Sequence, residues 1–351
     1  MMPLSEKDAL LKVANLLGDW LRVADRDIRV HTNTSDSSID GYISVGDYDF
    51  GVEIKATGNA AQVSSAIQAL KRLDLLSERN ARPLVVVPFM GEVGRNLCKD
   101  AGISWIDLSG NADIAAPSLR ILMDGRPNRF KTPGRPSNPF APKSARIARW
   151  LLIHADRAMG QRQLALETEM DEGFTSRIIS RLQEEGLVAR KSDGTIRVPD
   201  PNLLLYAWQE TYDFGKNRIL KGHVAERSSN EMQRNLSNIL MKNHVLHAAT
   251  GLGAAWLYTK FSGFRIVTLY LESFPTADLI KEIGFREGAR GANAWMVIPK
   301  DKGVFQGSRL VEGVHCVHPV QAYLDLSGHP ERAKEAAEYI RHELLTWDKN
   351  A

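Results

Sequence analysis

Thr175-Ser176-Arg177-Ile178-Ile179-Ser180-Arg181-Leu182-Gln183-Glu184-Glu185-Gly186-Leu187-Val188 is the stretch on which the reading of this chain turns. Ile178, Ile179, Leu182 and Leu187 recur at helical spacing and form an apolar face, so Thr175, Ser176, Arg177, Ser180 and Arg181 are expected on the opposite, exposed one. Upstream, helical patterns fit residues 145–154 and 160–168, and the intervening Glu169-Met170-Asp171-Glu172-Gly173 is short enough to set the second and third helices at a steep angle. Downstream, residues 187–191 and 195–198 flank Ser192-Asp193-Gly194, the composition of a tight turn joining two strands.

A helix held this way across a short turn can enter the major groove of DNA. Arg177 is the expected base reader, with Thr175, Ser176, Ser180 and Arg181 beside it, and Arg190, Lys191 and Arg197 on the hairpin are expected phosphate contacts. The nearly balanced charge of the segment is also compatible with protein contact alone. The quoted string closely resembles the recognition helix and following strand of winged-helix regulators. That resemblance implies that residues 144–199 form a winged helix-turn-helix whose partner is double-stranded DNA.

Length bounds what surrounds this segment. At 351 residues the chain exceeds what one core usually organises, and its 43% hydrophobic and 25% charged content is that of folded proteins. The start, Met1-Met2-Pro3-Leu4-Ser5-Glu6-Lys7-Asp8, has no secretory pattern and no stretch approaches 18 apolar residues, so neither export nor membrane insertion is expected. Cys98 and Cys316 stand far apart in apolar contexts, the usage of a reducing compartment, and a cytoplasmic location follows as the expectation. The net charge of +3 is too small to name a partner, but its distribution is informative. Arg126, Arg129, Lys131, Arg135, Lys143, Arg146 and Arg149 occur within 126–149 without one carboxylate, interleaved with five prolines. This reads as a stiff basic linker, either simply solvated or placed on DNA phosphates by Arg126, Arg129, Lys131 and Arg135.

The amino-terminal part alternates helix and strand: a helix over 5–24, strands at 28–32, 39–45 and 49–56, a helix over 59–78 capped by Asn59, then strand, helix and three more strands to residue 123. Asp40 precedes Glu53-Ile54-Lys55 on the hairpin partner, and residues two apart on a strand share a face. Two carboxylates and an ammonium so placed suit a Mg²⁺ site acting on a phosphate, with Asp40 and Glu53 as metal ligands, Lys55 stabilising developing charge and Gln62 one helical turn away. The same residues in many hairpins are only a solvated face. The set resembles the PD-(D/E)xK nuclease superfamily, with Glu6 or Asp8 on the preceding helix.

Beyond residue 224 a second α/β alternation is expected, with helices at 235–245, 254–261, 276–283, 319–326 and 331–345 and strands at 266–272, 294–298 and 314–317. Thr250-Gly251-Leu252-Gly253 before the 266–272 strand looks like the opening of a nucleotidyltransferase-type fold, but that strand region supplies only Glu272 as a carboxylate, so a degenerate scaffold is expected. The histidines of His244-Val245-Leu246-His247 and His315-Cys316-Val317-His318 read as packing residues rather than zinc ligands. No phosphate-binding GxxxxGK[ST], HExxH or GxSxG pattern occurs.

Residues 84–89, the string Ala101-Gly102-Ile103-Ser104-Trp105-Ile106-Asp107-Leu108-Ser109-Gly110-Asn111-Ala112, the basic linker, the helix-turn-helix segment and Pro319-Val320-Gln321-Ala322-Tyr323-Leu324-Asp325-Leu326 together resemble, over most of the chain, the AbiEi-type antitoxins of type IV toxin–antitoxin systems. The resemblance implies a DNA-binding, autoregulatory repressor. Compact members carry their winged helix at the amino terminus, whereas here another domain precedes it.

The expected architecture is therefore α/β multidomain: a restriction-endonuclease-like domain at 1–125, a linker at 126–143, a winged helix-turn-helix at 144–199, a connector at 200–223 and a degenerate nucleotidyltransferase-like domain at 224–351. The expected function is a sequence-specific transcriptional regulator of antitoxin type that needs no cofactor to bind DNA. Its expected partners are duplex DNA, a toxin encoded alongside it and a second copy of the chain, and no membrane. The alternative is a Mg²⁺-dependent DNA nuclease targeted by the same winged helix.

Overall fold

Leu10, Val13 and Leu17, whose spacing predicts the first helix, are fully buried and face a sheet. The computed structural model describes residues 5–32, 39–74, 81–130, 138–261 and 263–347. The chain divides into two units, Met1–Pro136 and Ser137–Ala351.

In the first unit, α1 (Glu6–Leu21) leads into β1 (Ile28–Thr32), β2 (Gly41–Val45) and β3 (Tyr48–Ile54), an antiparallel meander. Then α2 (Ala60–Asp74), β4 (Arg82–Val87), α3 (Glu92–Ala101) and β5 (Ser104–Asp107) follow, with β3, β4 and β5 mutually parallel, as crossover helices require. The antiparallel β6 (Ala112–Ala116) and β7 (Leu119–Met123) close a sheet whose spatial order equals its chain order. Strand alternation divides the core: Val52, Leu84, Val86 and Ile106 pack with α1, while Val85, Val87 and Trp105 pack with α2 and α3 residues such as Val63, Leu70 and Cys98. The expected cap is present, since Asn59 Oδ1 accepts the Gln62 N–H at 2.9 Å.

The second unit opens with α4 (Ala145–Ile153), α5 (Gln161–Glu167) and α6 (Glu172–Glu184), followed by the hairpin β8 (Ala189–Arg190) and β9 (Ile196–Arg197). Gly194 supplies the left-handed backbone of the hairpin turn at φ 81°, and Asp193 Oδ1 accepts the Thr195 N–H at 2.8 Å. Met159 exchanges both backbone hydrogen bonds with Ile196, tying the α4–α5 connection to the hairpin.

Residues 200–223, expected as a connector, instead contribute α7 (Pro201–Gln209), capped by Asp200, and β10 (Arg218–His223). The rest of the unit comprises α8 (Ser229–Lys242), β11 (His247–Thr250), α9 (Gly251–Thr259), β12 (Val267–Leu271), α10 (Ala277–Ile283), β13 (Arg286–Glu287), β14 (Ala294–Ile298), β15 (Arg309–Val311), β16 (Val314–Cys316), α11 (Pro319–Leu326) and α12 (Ala333–Leu344). Its sheet runs β13-β10-β14-β12-β11-β16-β15. Neither β10 nor β11 is in the sequence expectation. Ala248 and Ala249 pack centrally in the sheet without a β-branched signal, and β10 mixes Arg218 and Lys221 into its run.

Candidate nucleic-acid interface

Helix α6 is started by Asp171, whose Oδ1 accepts the Phe174 N–H at 2.9 Å. Ile178, Ile179 and Leu182 turn inward, and Arg177 and Ser180 lie exposed on the outer face with Ser176 half-buried. The Arg177 guanidinium sits 5.8 Å from the Phe174 ring centroid and pairs with no carboxylate among the described residues. Two expected contacts are corrected. Thr175 is completely buried, because it lies on the same helical stripe as Ile178 and Ile179, and its Oγ1 has no hydrogen-bond partner among the described residues. Arg181 is half-buried and held by Glu184 at 3.0 Å and Glu185 at 3.1 Å, so its charge is neutralised within its own helix. On the hairpin, Arg190, Lys191 and Arg197 are exposed, and Arg190 is steadied by bonds to the Gly194 carbonyl at 3.1 Å and Gln161 Oε1 at 2.9 Å.

The basic run divides into three fates. Arg126 and Arg129 are exposed side chains whose backbone is bound to the first unit: the Arg126 N–H donates to Asn111 Oδ1 at 2.8 Å and the Arg129 N–H to Ser109 Oγ at 3.3 Å. Lys131 and Arg135 lie outside the described residues. Arg146 and Arg149, by contrast, are buried and cannot reach a phosphate. Arg146 forms a two-pronged pair with Asp301, at 2.6 and 2.7 Å. Arg149 donates twice to Gln321 Oε1, at 3.1 and 2.7 Å, and lies 4.9 Å from the Trp208 ring centroid, where burial pushes its pKa down. Both arginines point from α4 into the sheet-bearing part of the unit, so the helical segment is fixed to it.

Behind Gln321 lies a buried network with no counterpart in the sequence reading. Asp325, fully buried on α11, accepts from Tyr270 OH at 2.9 Å, from Gln321 Nε2 at 2.7 Å and from the hydroxyls of Tyr212 and Thr250. Burial pushes its pKa up to about 6 against the pull of these donors. A lone Asp in the apolar run 319–326, four residues after a Gln, was the available signal.

In the first unit, Glu53 near the end of β3 and Lys55, one residue past it, meet at 2.6 Å. Glu53 is buried, which raises its pKa, while the Lys55 contact lowers it in part. Asp40 precedes β2 rather than lying on it, and its Oδ2 accepts the Ile54 N–H at 2.6 Å, bringing it beside Glu53. Gln62 is half-buried in the first turn of α2. Glu6 and Asp8 are exposed at the start of α1, where Asp8 accepts from Ser5 Oγ at 2.7 Å. No group of three or more His, Cys, Asp or Glu residues suited to a metal ion occurs among the described residues. The two carboxylates Asp40 and Glu53 still suit Mg²⁺, which typically takes one or two carboxylates and completes its shell with water and phosphate. His247 is satisfied by Ser237 Oγ and the Val245 carbonyl, both at 2.8 Å, and burial lowers the His318 pKa to about 4. No described helix is long and apolar enough to cross a membrane.

Residues 197–346 match a family described as transcriptional regulator, AbiEi antitoxin, type IV toxin–antitoxin system. No curated protein and no solved structure gives a significant match to the chain. The antitoxin match is less than half of the chain. It starts at the last residue of β9 and runs through α12, taking in Asp301, Gln321 and Asp325 but leaving out α4 to α6 and the whole first unit. Of the stretches that carried the AbiEi resemblance in the sequence, Pro319–Leu326 falls inside the match, whereas residues 84–89 and 101–112, the basic linker and all but the last three residues of the 144–199 segment fall outside it.

Proposed function

We propose that this protein is a sequence-specific DNA-binding transcriptional regulator of antitoxin type, in which residues 144–199 act as a winged helix-turn-helix. The observation that carries the reading is the placement of α6. Arg177 and Ser180 face outward, the basic hairpin that follows α6 is exposed, and this segment is fixed through Arg146 and Arg149 to the antitoxin-matched part of the chain. In this reading Arg177 contacts a guanine edge, Ser176 and Ser180 flank it, Arg190, Lys191 and Arg197 contact phosphates, and no cofactor takes part. Autorepression, a toxin encoded alongside and a cytoplasmic setting belong to the same proposal, and a homodimer would let two such helices read a palindromic operator. Arg177→Ala should lower affinity for DNA from the chain's own promoter region by a factor of about 5 to 150, from the roughly 1–3 kcal/mol of a two-pronged guanine contact, and leave binding to unrelated duplex unchanged. Equal loss on both DNAs would overturn the assignment of Arg177.

A second reading, a Mg²⁺-dependent DNA nuclease, is favoured by one feature of the first unit. The order α1-β1-β2-β3-α2-β4, with β4 parallel to β3, places Asp40, Glu53 and Lys55 together at one end of the central strands. There Asp40 and Glu53 would hold the ion, which when bound polarises a phosphate and activates water, and Lys55 would neutralise developing charge. Supercoiled DNA with Mg²⁺ or Mn²⁺ tests it: nicking that disappears in both Glu53→Ala and Lys55→Ala supports a nuclease, and intact plasmid with the wild type rejects it.

A further inference from the structure

Asp107, Ser109 and Asn111 are polar, 0%, 2% and 0% exposed, and take no part in either reading above. Buried groups of this kind persist where each is hydrogen-bonded, and here the bonds converge on one short segment. Asp107 shapes the turn: Oδ1 accepts the N–H groups of Ser109 at 3.0 Å and Asn111 at 2.9 Å, and Oδ2 accepts from Asn111 Nδ2 at 2.9 Å and the Met90 N–H at 3.2 Å. Asn111 then treats Arg126 as a strand would, accepting its N–H at 2.8 Å and donating to its carbonyl at 3.1 Å. Ser109 Oγ accepts the Arg129 N–H at 3.3 Å and donates to the Pro88 carbonyl at 3.2 Å. Between them Gly110 has φ 102°, and a Cβ there would lie 2.8 Å from Arg126 Cδ, so the stem of Arg126 lies across the glycine. Past Arg129, Phe130 packs against the α1-side core.

The held segment sits at a particular edge. Asp107 pairs with Val87, and Ile54 pairs with Val86, so Lys55, one residue past the end of β3 and still donating its N–H to the Val86 carbonyl at 2.9 Å, lies in the same cross-sheet row as Asp107. Two strand spacings separate them, about 10 Å. This is the carboxyl edge of the three parallel strands, where α/β sheets bind their ligands. Residues 125–130 contain no carboxylate, and the preceding Asp124 is already paired with Arg95 at 2.6 Å.

We propose that Asp107, Ser109 and Asn111 form a clamp that fixes residues 126–129 over this edge and presents Arg126 and Arg129 as a preformed site for two phosphates of a DNA duplex, borne by the first unit itself. This rests on the reading that the protein binds DNA, and it assigns these two arginines to a structured surface rather than to a linker. Because the backbone is held before binding, less conformational freedom is lost on contact. The site positions DNA without reading it.

The test is fluorescence anisotropy of the full-length protein on a duplex of unrelated sequence across a salt series. Arg126→Gln/Arg129→Gln should flatten the slope of log K against log salt by about 1.8, so that the loss of affinity between about 50 and 200 mM salt becomes about tenfold smaller. Ser109→Ala and Gly110→Ala, which loosen the clamp and leave both arginines in place, should flatten it part-way without altering the ratio of promoter to unrelated affinity. An unchanged slope in the double variant overturns the phosphate site. A flattened slope there with wild-type slopes in both Ser109→Ala and Gly110→Ala overturns the clamp. The regulator reading fails separately, through the promoter assay on Arg177→Ala, and a wild type that binds no duplex at any salt removes both.

Discussion

Replacing Arg149 by Ala tests how firmly the helical segment is joined to the antitoxin-matched part of its unit. The guanidinium makes two bonds to Gln321 Oε1 and lies on Trp208, and every group involved is buried. Truncation leaves Gln321 Oε1 without these donors, a cost of about 1–3 kcal/mol, and removes a cation–π contact of about 2 kcal/mol. It also relieves the burial of a charge, which offsets part of the loss, so a net destabilisation of about 2–4 kcal/mol is expected. For a unit of this size that lowers Tm by roughly 5–15 °C. Calorimetry of the full-length protein should show the transition of the second unit falling by this amount while that of the first stays in place. Arg190→Ala, at an exposed position, should stay within about 0.5 kcal/mol of the wild type. A shift below about 1 °C for Arg149→Ala would mean that Gln321 finds another donor at once and that the buried arginine does not join the two parts.

Thr175→Val removes a buried hydroxyl that has no partner among the described residues, at nearly constant shape, so stability should hold or rise by up to about 1 kcal/mol with DNA affinity unchanged; a loss of promoter preference would restore Thr175 to the interface. Asp325 carries a pH dependence. Its folded pKa of about 6 stands above the ordinary 3.8, so the folded state binds the extra proton, and the contribution is fully present below pH 3.8 and lost as pH rises through 6. The stability of the wild type relative to Asp325→Asn, read from urea midpoints, should fall by about 3 kcal/mol across this window, and a difference that is flat with pH would refute the shift.

What could be read without coordinates was what neighbouring residues decide among themselves. The 3.6-residue spacing in 145–184 locates α4, α5 and α6 to within a few residues, Asn59 caps its helix, and the period-2 rule brings Glu53 and Lys55 together at the end of β3. These are local interactions whose geometry is set by chain spacing. The basic run shows the opposite case. Arg126, Arg146 and Arg149 look alike in sequence, yet Arg126 is exposed over a clamp, Arg146 is spoken for by Asp301 and Arg149 by Gln321. Those last two partners lie more than 150 residues further along the chain. Thr175 fails for a related reason, since a helical wheel places it at the margin of the apolar stripe and only the packing of α6 settles which side of the margin it takes. The sequence by itself determined the strongly periodic elements and the chemistry available to them, but not α7, β10 or β11, which lack a clear local pattern. Which charges face solvent and which are consumed inside the fold was decided by tertiary structure, because the fate of a charge depends on what reaches it across space.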